Sequence, residues 1–146
     1  MNRKILAVIL CLVIGVYLVM PTFLGFMPRN FLGLNVELQK REDLKTATFL
    51  VTIISTAPWP IAFQGVKDQA LVNSAIGVQF FEGPPRLPNS FTLPPFGRLS
   101  YSLYVTLIQW GYPTGFPSID ALTVIIGGEI GFFFSSWRAF TLTGRW

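Results

Sequence analysis

The 146-residue chain has no histidine, a single cysteine and few charges, with only 12% of its residues Asp, Glu, Lys or Arg. Each shortage removes a class of chemistry. Protein-built zinc, haem and copper centres draw on His or on several Cys, so no metal or cofactor site of the chain's own is expected. Ser-His-Asp and Cys-His catalytic sets need an imidazole and are excluded. One cysteine cannot close an internal disulfide, and Cys11 lies within an apolar run, where its ordinary role is that of a small packing residue. The adjacent acids Glu42 and Asp43 stand in a polar stretch that alternates with lysines, which is a poor setting for paired acid and base work. Gly127-Gly128-Glu129-Ile130-Gly131 has no Lys after it and is not a phosphate loop. The expected protein is not an enzyme.

What the chain does have is apolar sequence. Hydrophobic residues make up 51% of it, far from ordinary soluble usage. The net charge of +4 is scattered rather than gathered into a basic stripe, so no nucleic-acid partner is expected. From Ile5 to Phe26 there is no charge at all, and Arg3 and Lys4 precede the run. At about 1.5 Å per residue such a run crosses a hydrocarbon core of about 30 Å as a helix. It exceeds a signal-peptide h-region and shows no small-x-small cleavage site, so an uncleaved anchor over residues 1–27 is expected, with its N-terminus in the cytoplasm. Ala7, Cys11 and Gly15 recur every fourth residue and give this helix one stripe of small side chains, the kind of face on which a second helix docks.

Residues 28–45 read as a polar linker. From Thr46 the period changes to two: Ala47, Phe49, Val51 and Ile53 alternate with Thr48, Leu50 and Thr52 until Pro58-Trp59-Pro60. Ile76, Val78 and Phe80 alternate again, Phe91 to Leu93 is a shorter piece, and Ser100 to Trp110 is the longest alternating run. These predict a small extracytoplasmic β-rich domain over 46–117, with a four-helix polytopic protein as the alternative. Residues 118–146 read as a second transmembrane helix and a short tail, with Asp120 capping its start and Arg138 and Arg145 near its end. The expected fold class is therefore an α+β membrane protein, its β domain flanked by transmembrane helices. Both termini are expected in the cytoplasm.

On that second helix Thr123, Gly127, Gly131 and Ser135 fall four apart, a stripe expected to meet either Ala7, Cys11 and Gly15 or a partner subunit. Glu129 would be the one ionisable group at membrane depth, projecting about 200 degrees from the stripe and needing a buried polar contact. The aromatic excess, including Trp59, Trp110, Trp137, Trp146, Tyr17, Tyr101, Tyr104 and Tyr112, suits lipid contact at interfacial belts or packing against pigments and quinones. In build the chain resembles accessory subunits of respiratory or photosynthetic membrane complexes. That resemblance implies a non-catalytic subunit that stabilises or assembles such an energy-transducing complex, with other integral membrane subunits and lipids as partners. The other readings are a small transporter or ion-conducting subunit using Glu129, and a stand-alone envelope or sensor protein.

Overall fold

A helix, α1 (Arg3–Leu24), precedes seven strands in the computed structural model, which describes residues 3–24, 30–73, 87–107, 118–131 and 137–146. The strands are β1 (Leu32–Arg41), β2 (Thr46–Ser55), β3 (Ile61–Val72), β4 (Phe91–Leu93), β5 (Arg98–Thr106), β6 (Leu122–Gly131) and β7 (Arg138–Arg145). They form two antiparallel sheets, one ordered β1-β2-β5 and the other β4-β3-β6-β7. The chain is mostly β.

Alternation explains the pairing. On β2, Ala47, Phe49, Val51 and Ile53 are buried, and on β5 so are Tyr101, Leu103 and Val105; the residues between them face outward. Phe49 lies opposite Leu103 and Val51 opposite Tyr101, so the two inward rows coincide. Phe63, Ala70, Val72, Leu122, Val124, Ile126, Ile130, Phe140 and Leu142 make the inner face of the other sheet, and both faces belong to one continuous core. This is a β-sandwich, in which period-two strands bury one face each. It closes along the side where β1 and β7 run together, and there Gly144 is needed: a Cβ on it would stand 2.8 Å from Val36 Cγ2 and 3.0 Å from Leu34 Cγ.

The second transmembrane helix is overturned. Residues 122–131 and 138–145 are two strands of one sheet, and the described chain ends on β7. The physical reasons lie in the residues. Val124, Ile125 and Ile126 are β-branched, and Gly127, Gly128 and Gly131 would each cost a helix about 1 kcal/mol relative to alanine. Two apolar strands joined end to end also imitate a membrane span in length. β7 alternates cleanly, with Phe140, Leu142 and Gly144 inward and Thr141, Thr143 and Arg145 outward.

Three other expectations change. β1 runs through the stretch read as a polar linker, its Leu32 and Val36 buried and its Glu37 exposed. Asp120 caps no helix; it belongs to a turn that Asn73 holds from the end of β3. With the C-terminal strand built into the sandwich there is no C-terminal span, and the argument for two cytoplasmic termini, which needed an even number of crossings, is lost. The strand expected around Ile76 to Phe80 and the end of the run at Trp110 lie outside the described residues.

A bulge decides which residues of β3 face inward. Gln64 pairs with Glu129 and Lys67 with Gly127, so Gly65 and Val66 together oppose Gly128. Gly65 adopts φ 59°, a conformation glycine takes at little steric cost. The extra residue shifts parity: Phe63 and then Val66 point inward, and Asp68 is carried to the inner side of the sheet.

Candidate functional site

Thr123, Gly127 and Gly131 all lie on β6, and Ser135 is outside the described residues. A spacing of four keeps residues on one face of a strand as well as of a helix, because four is a multiple of two. The stripe therefore survives as a row on the outer face of the β4-β3-β6-β7 sheet. Its role as a helix-helix interface does not, since no helix is there. Trp137 lies over Gly131, where a Cβ would come within 3.1 Å of two indole carbons. Gly127 floors a shallow groove of about 420 Å³ between Lys67 and Thr141, its cross-strand neighbours. Lys67, Gln69 and Thr141 bring an ammonium, an amide and a hydroxyl to this groove, which Asp68 also lines.

Glu129 is exposed on the same outer row, and accepts a hydrogen bond of 2.8 Å from Gln64 Nε2, directly across from it. The strand puts it on the face of Gly127 and Gly131 rather than away from them. It has a polar partner within the sheet, and it is not at membrane depth in a C-terminal helix. Among the described residues no three His, Cys, Asp or Glu side chains gather as a metal-ion site.

Asp68 makes a polar link between the two sheets. The Tyr101 hydroxyl, on the inner face of β5, donates to Asp68 Oδ2 at 3.3 Å. Burial pushes the tyrosine pKa far above its ordinary value, and the Asp68 charge and the hydrogen bond push the same way. A tyrosine so held stays neutral and serves as a seam, not as a base.

The aromatics divide. Trp59 is buried edge-on against Phe31 with centroids 5.5 Å apart. Trp146 packs edge-on to Phe49 at 5.1 Å, and Arg41 lies over its ring at 5.6 Å. Tyr101 is in the core and Tyr104 is half-buried. Trp110 and Tyr112 are outside the described residues; among the described ones, Tyr17, Trp137 and a residue that the sequence did not single out, Phe96, are exposed aromatics.

Phe96 belongs to the turn Pro94-Pro95-Phe96-Gly97, between β4 and β5. It is 69% exposed and has φ 53°. Three backbone hydrogen bonds fix the turn: Phe96 N–H to the Ala57 carbonyl at 2.9 Å, Gly97 N–H to Pro94 at 2.9 Å, and Ser55 N–H to Gly97 at 2.8 Å. The next carbonyl along from Ala57, that of Pro58, accepts from the hydroxyl of Tyr17 on α1 at 2.6 Å. Helix and turn are thus tied to adjacent residues of one loop. The sequence signal was present, since an aromatic between Pro-Pro and Gly cannot be part of a ladder, but nothing in it showed that the ring points outward.

On α1 every side chain from Arg3 to Met20 is exposed, and Ala7, Cys11 and Gly15 form a stripe of small residues with larger ones such as Leu12 and Val19 beside them. The described helix is thus long and apolar enough to cross a membrane, and none of that stretch is buried against the protein.

No protein-family model matches the chain, and no curated protein does. Among solved structures, a crystal structure of a protein from Archaeoglobus fulgidus is similar to it at 13% identity, covering 78% of this chain and 94% of that one with a TM-score of 0.39, a likeness too distant to bear on function.

Proposed function

We propose that this chain is a non-catalytic accessory subunit, anchored in a membrane by α1 and docked through that helix to another integral membrane subunit, with its sandwich outside the bilayer on the extracytoplasmic side. The observation that carries the reading is the apolar surface of α1 from Arg3 to Met20, unburied along its whole length. Among the described side chains of α1, Arg3 to Met20, none contributes to the core of the sandwich. A surface of that composition suits lipid and partner helices as its surroundings, not water.

Arg3 and Lys4 on the short flank favour an N-terminus in the cytoplasm, which puts the sandwich on the opposite side after one crossing. Respiratory or photosynthetic assemblies are the proposed setting, on the analogy of build alone. The sandwich architecture is shared by many unrelated modules and does not choose between functions. The ion-path reading loses its motive, because it depended on Glu129 lying at membrane depth.

Extraction in mild detergent followed by native gel analysis tests the proposal. The chain is expected to co-migrate with a larger complex. Ala7→Leu together with Gly15→Leu is expected to release it, whereas Val8→Leu is expected to leave it bound. A Cβ on Gly15 meets nothing within 4 Å in the chain itself, so release by these variants would report on a partner and not on internal unpacking. Migration of the unaltered protein alone would refute the accessory role.

A further inference from the structure

We propose that the free edge of β5 is a docking site for an extended, basic segment of another polypeptide, which adds a strand to the β1-β2-β5 sheet. The choice of a foreign strand over a second copy of this chain rests in part on the reading of α1 as an anchor; the edge itself does not.

The register shows which backbone groups are available. In an antiparallel strand the N–H and C=O of one residue point to the same side, and that side alternates from residue to residue. Gly97 O accepts from Ser55 N–H, and Leu107 N–H donates to Lys45 O, so at both ends of β5 the odd-numbered residues face β2. No register shift interrupts the pairing between those ends. Arg98, Ser100, Ser102, Tyr104 and Thr106 therefore direct their N–H and C=O groups away from β2. Among the described residues no strand pairs with β5 on that side.

An unpaired backbone row of this kind recruits other strands, and the remaining sheet edges are guarded against it. β1 has an irregularity between Leu38 and Lys40 and runs along β7. β7 carries an arginine at each end. β4 is three residues long, and Pro94 follows it. β5 runs nine residues with no proline, no lysine and no bulge, and its one charge, Arg98, stands at its first position. Such an edge suits strand addition, in which main-chain hydrogen bonds supply affinity and alternate side chains supply specificity.

Asp68 sets that specificity. The bulge in β3 carries it to the inner side of its sheet, where it is exposed and accepts from the Tyr101 hydroxyl on β5. Among the described residues it belongs to no ion pair. A strand laid along β5 places a side chain beside Tyr101 on the same inner side, about 5 Å away at the spacing of paired strands. A lysine or arginine there has the length to bring its charge to the Asp68 carboxylate. The inward positions on either side of it meet Leu99 and Leu103, which suit apolar residues.

A second copy fits this edge poorly. A two-fold axis brings like edges together antiparallel. β5 starts beside the loop that Tyr17 of α1 holds and ends beside Lys45 at the far end. An antiparallel twin would turn its own helix to the opposite end, so the two anchors could not enter one bilayer side by side. Its inward residues, Leu99, Tyr101, Leu103 and Val105, also bring no cation to Asp68.

The test uses the full chain in detergent micelles, with amide hydrogen exchange read residue by residue. In the chain alone, the amides of Ser100, Ser102 and Tyr104 are expected to exchange at least ~10-fold faster than those of Tyr101, Leu103 and Val105. Equal protection of both sets would show that the edge is covered from within the chain and would overturn the proposal. The probe is a short peptide of alternating threonine and valine with lysine at the central valine position. Its controls are the same peptide with glutamate there, and the lysine peptide N-methylated on alternate residues. The lysine peptide is expected to slow exchange at Ser100 and Ser102 and to bind several-fold more tightly than either control. Asp68→Asn is expected to remove its advantage over the glutamate peptide. Ser102→Pro, which gives up an N–H that β2 does not use, is expected to abolish binding with little change in Tm. No protection by the lysine peptide would refute docking, and equal binding of the lysine and glutamate forms would refute a basic partner. Ser102→Cys in a Cys11→Ser background that closes into a disulfide-linked dimer would put a second copy in place of the foreign strand. These readouts need neither a membrane nor a partner complex, so they succeed or fail independently of the accessory role.

Discussion

The two ends of the sandwich are built from the same strands and finished in opposite ways. At the end tied to α1 the connections over residues 56–60 and 94–97 are proline-rich, aromatic and uncharged, and they close around Trp59 and the Phe96 turn. At the far end they include Glu42, Asp43, Lys45 and Asp120, and polar bonds stitch them together. Asn73, held at φ 52°, accepts from the N–H groups of Asp120 and Ala121 and donates to the Ser118 carbonyl. Arg41 Nη2 donates to Ile119 O at 2.9 Å while its guanidinium lies over Trp146. One end satisfies its backbone groups with side chains that also suit water. The other spends few polar side chains and leaves apolar groups outside.

Substitutions can break this contrast, and the largest effect is expected at Trp59. It is almost fully buried beneath the anchor-end loops, so Trp59→Ala should lower unfolding free energy by ~3–5 kcal/mol in urea denaturation. Leu44→Ala, at the far end and 61% exposed, should stay within ~0.5 kcal/mol. Equal losses would show that the two ends are not finished differently.

Gly97 comes next. A Cβ there would lie 2.6 Å from both Pro94 Cδ and the Pro94 carbonyl oxygen, and the backbone cannot give way without losing the turn. Gly97→Ala should cost ~1–3 kcal/mol in the same measurement, and should raise protease cleavage near residues 94–97. An unchanged cleavage pattern would mean that the turn is not held as described.

Between the ends, the Tyr101–Asp68 seam predicts a pH dependence. Its raised pKa means that the folded state keeps the tyrosine proton more tightly than the unfolded chain does. The stabilisation is therefore complete below pH ~10, the unfolded value, and is lost as pH rises beyond it, at up to ~1.4 kcal/mol per pH unit. Tyr101→Phe should remove that slope from stability curves measured between pH 9 and 11. A slope that persists in the variant would assign it to other groups.

The smallest expected change is a gain. Phe96→Gly should raise the thermal stability of the protein by ~1 kcal/mol, because glycine carries little penalty at φ 53°. A loss instead would mean that the ring packs within the fold, and would weaken the contrast at its most exposed point.

How far the sequence spoke for this fold depended on how cleanly each strand kept its period. β2, β4 and β5 were legible because apolar and polar residues alternate along them and prolines mark their ends. β3 was hidden by its bulge: after Gly65 the inward positions change parity, so no single alternation runs through the strand. β1 was masked by its charged outer face, where Glu37 and Lys40 outweigh a row of only Leu32, Leu34 and Val36. β6 misled most, because four-residue spacing fits both a strand face and a helix face, and its outer row carries only one charge, Glu129, among Thr123, Ile125, Gly127 and Gly131. The apolar helix at the N-terminus was legible from length and composition. Phe96 was not, because exposure of a ring in a turn is a property of hydrogen bonds to Ala57 and Pro94 that no local pattern encodes.

The central claim is a single membrane crossing with the whole sandwich on one side, and the sidedness of the two ends of the chain tests it most directly. Tags at residues 1 and 146 of the membrane-embedded protein, probed with an impermeant reagent before and after permeabilisation, should react from opposite faces. Reaction of both from the same face, or loss of the N-terminal tag with release of the sandwich into the aqueous phase, would contradict the account.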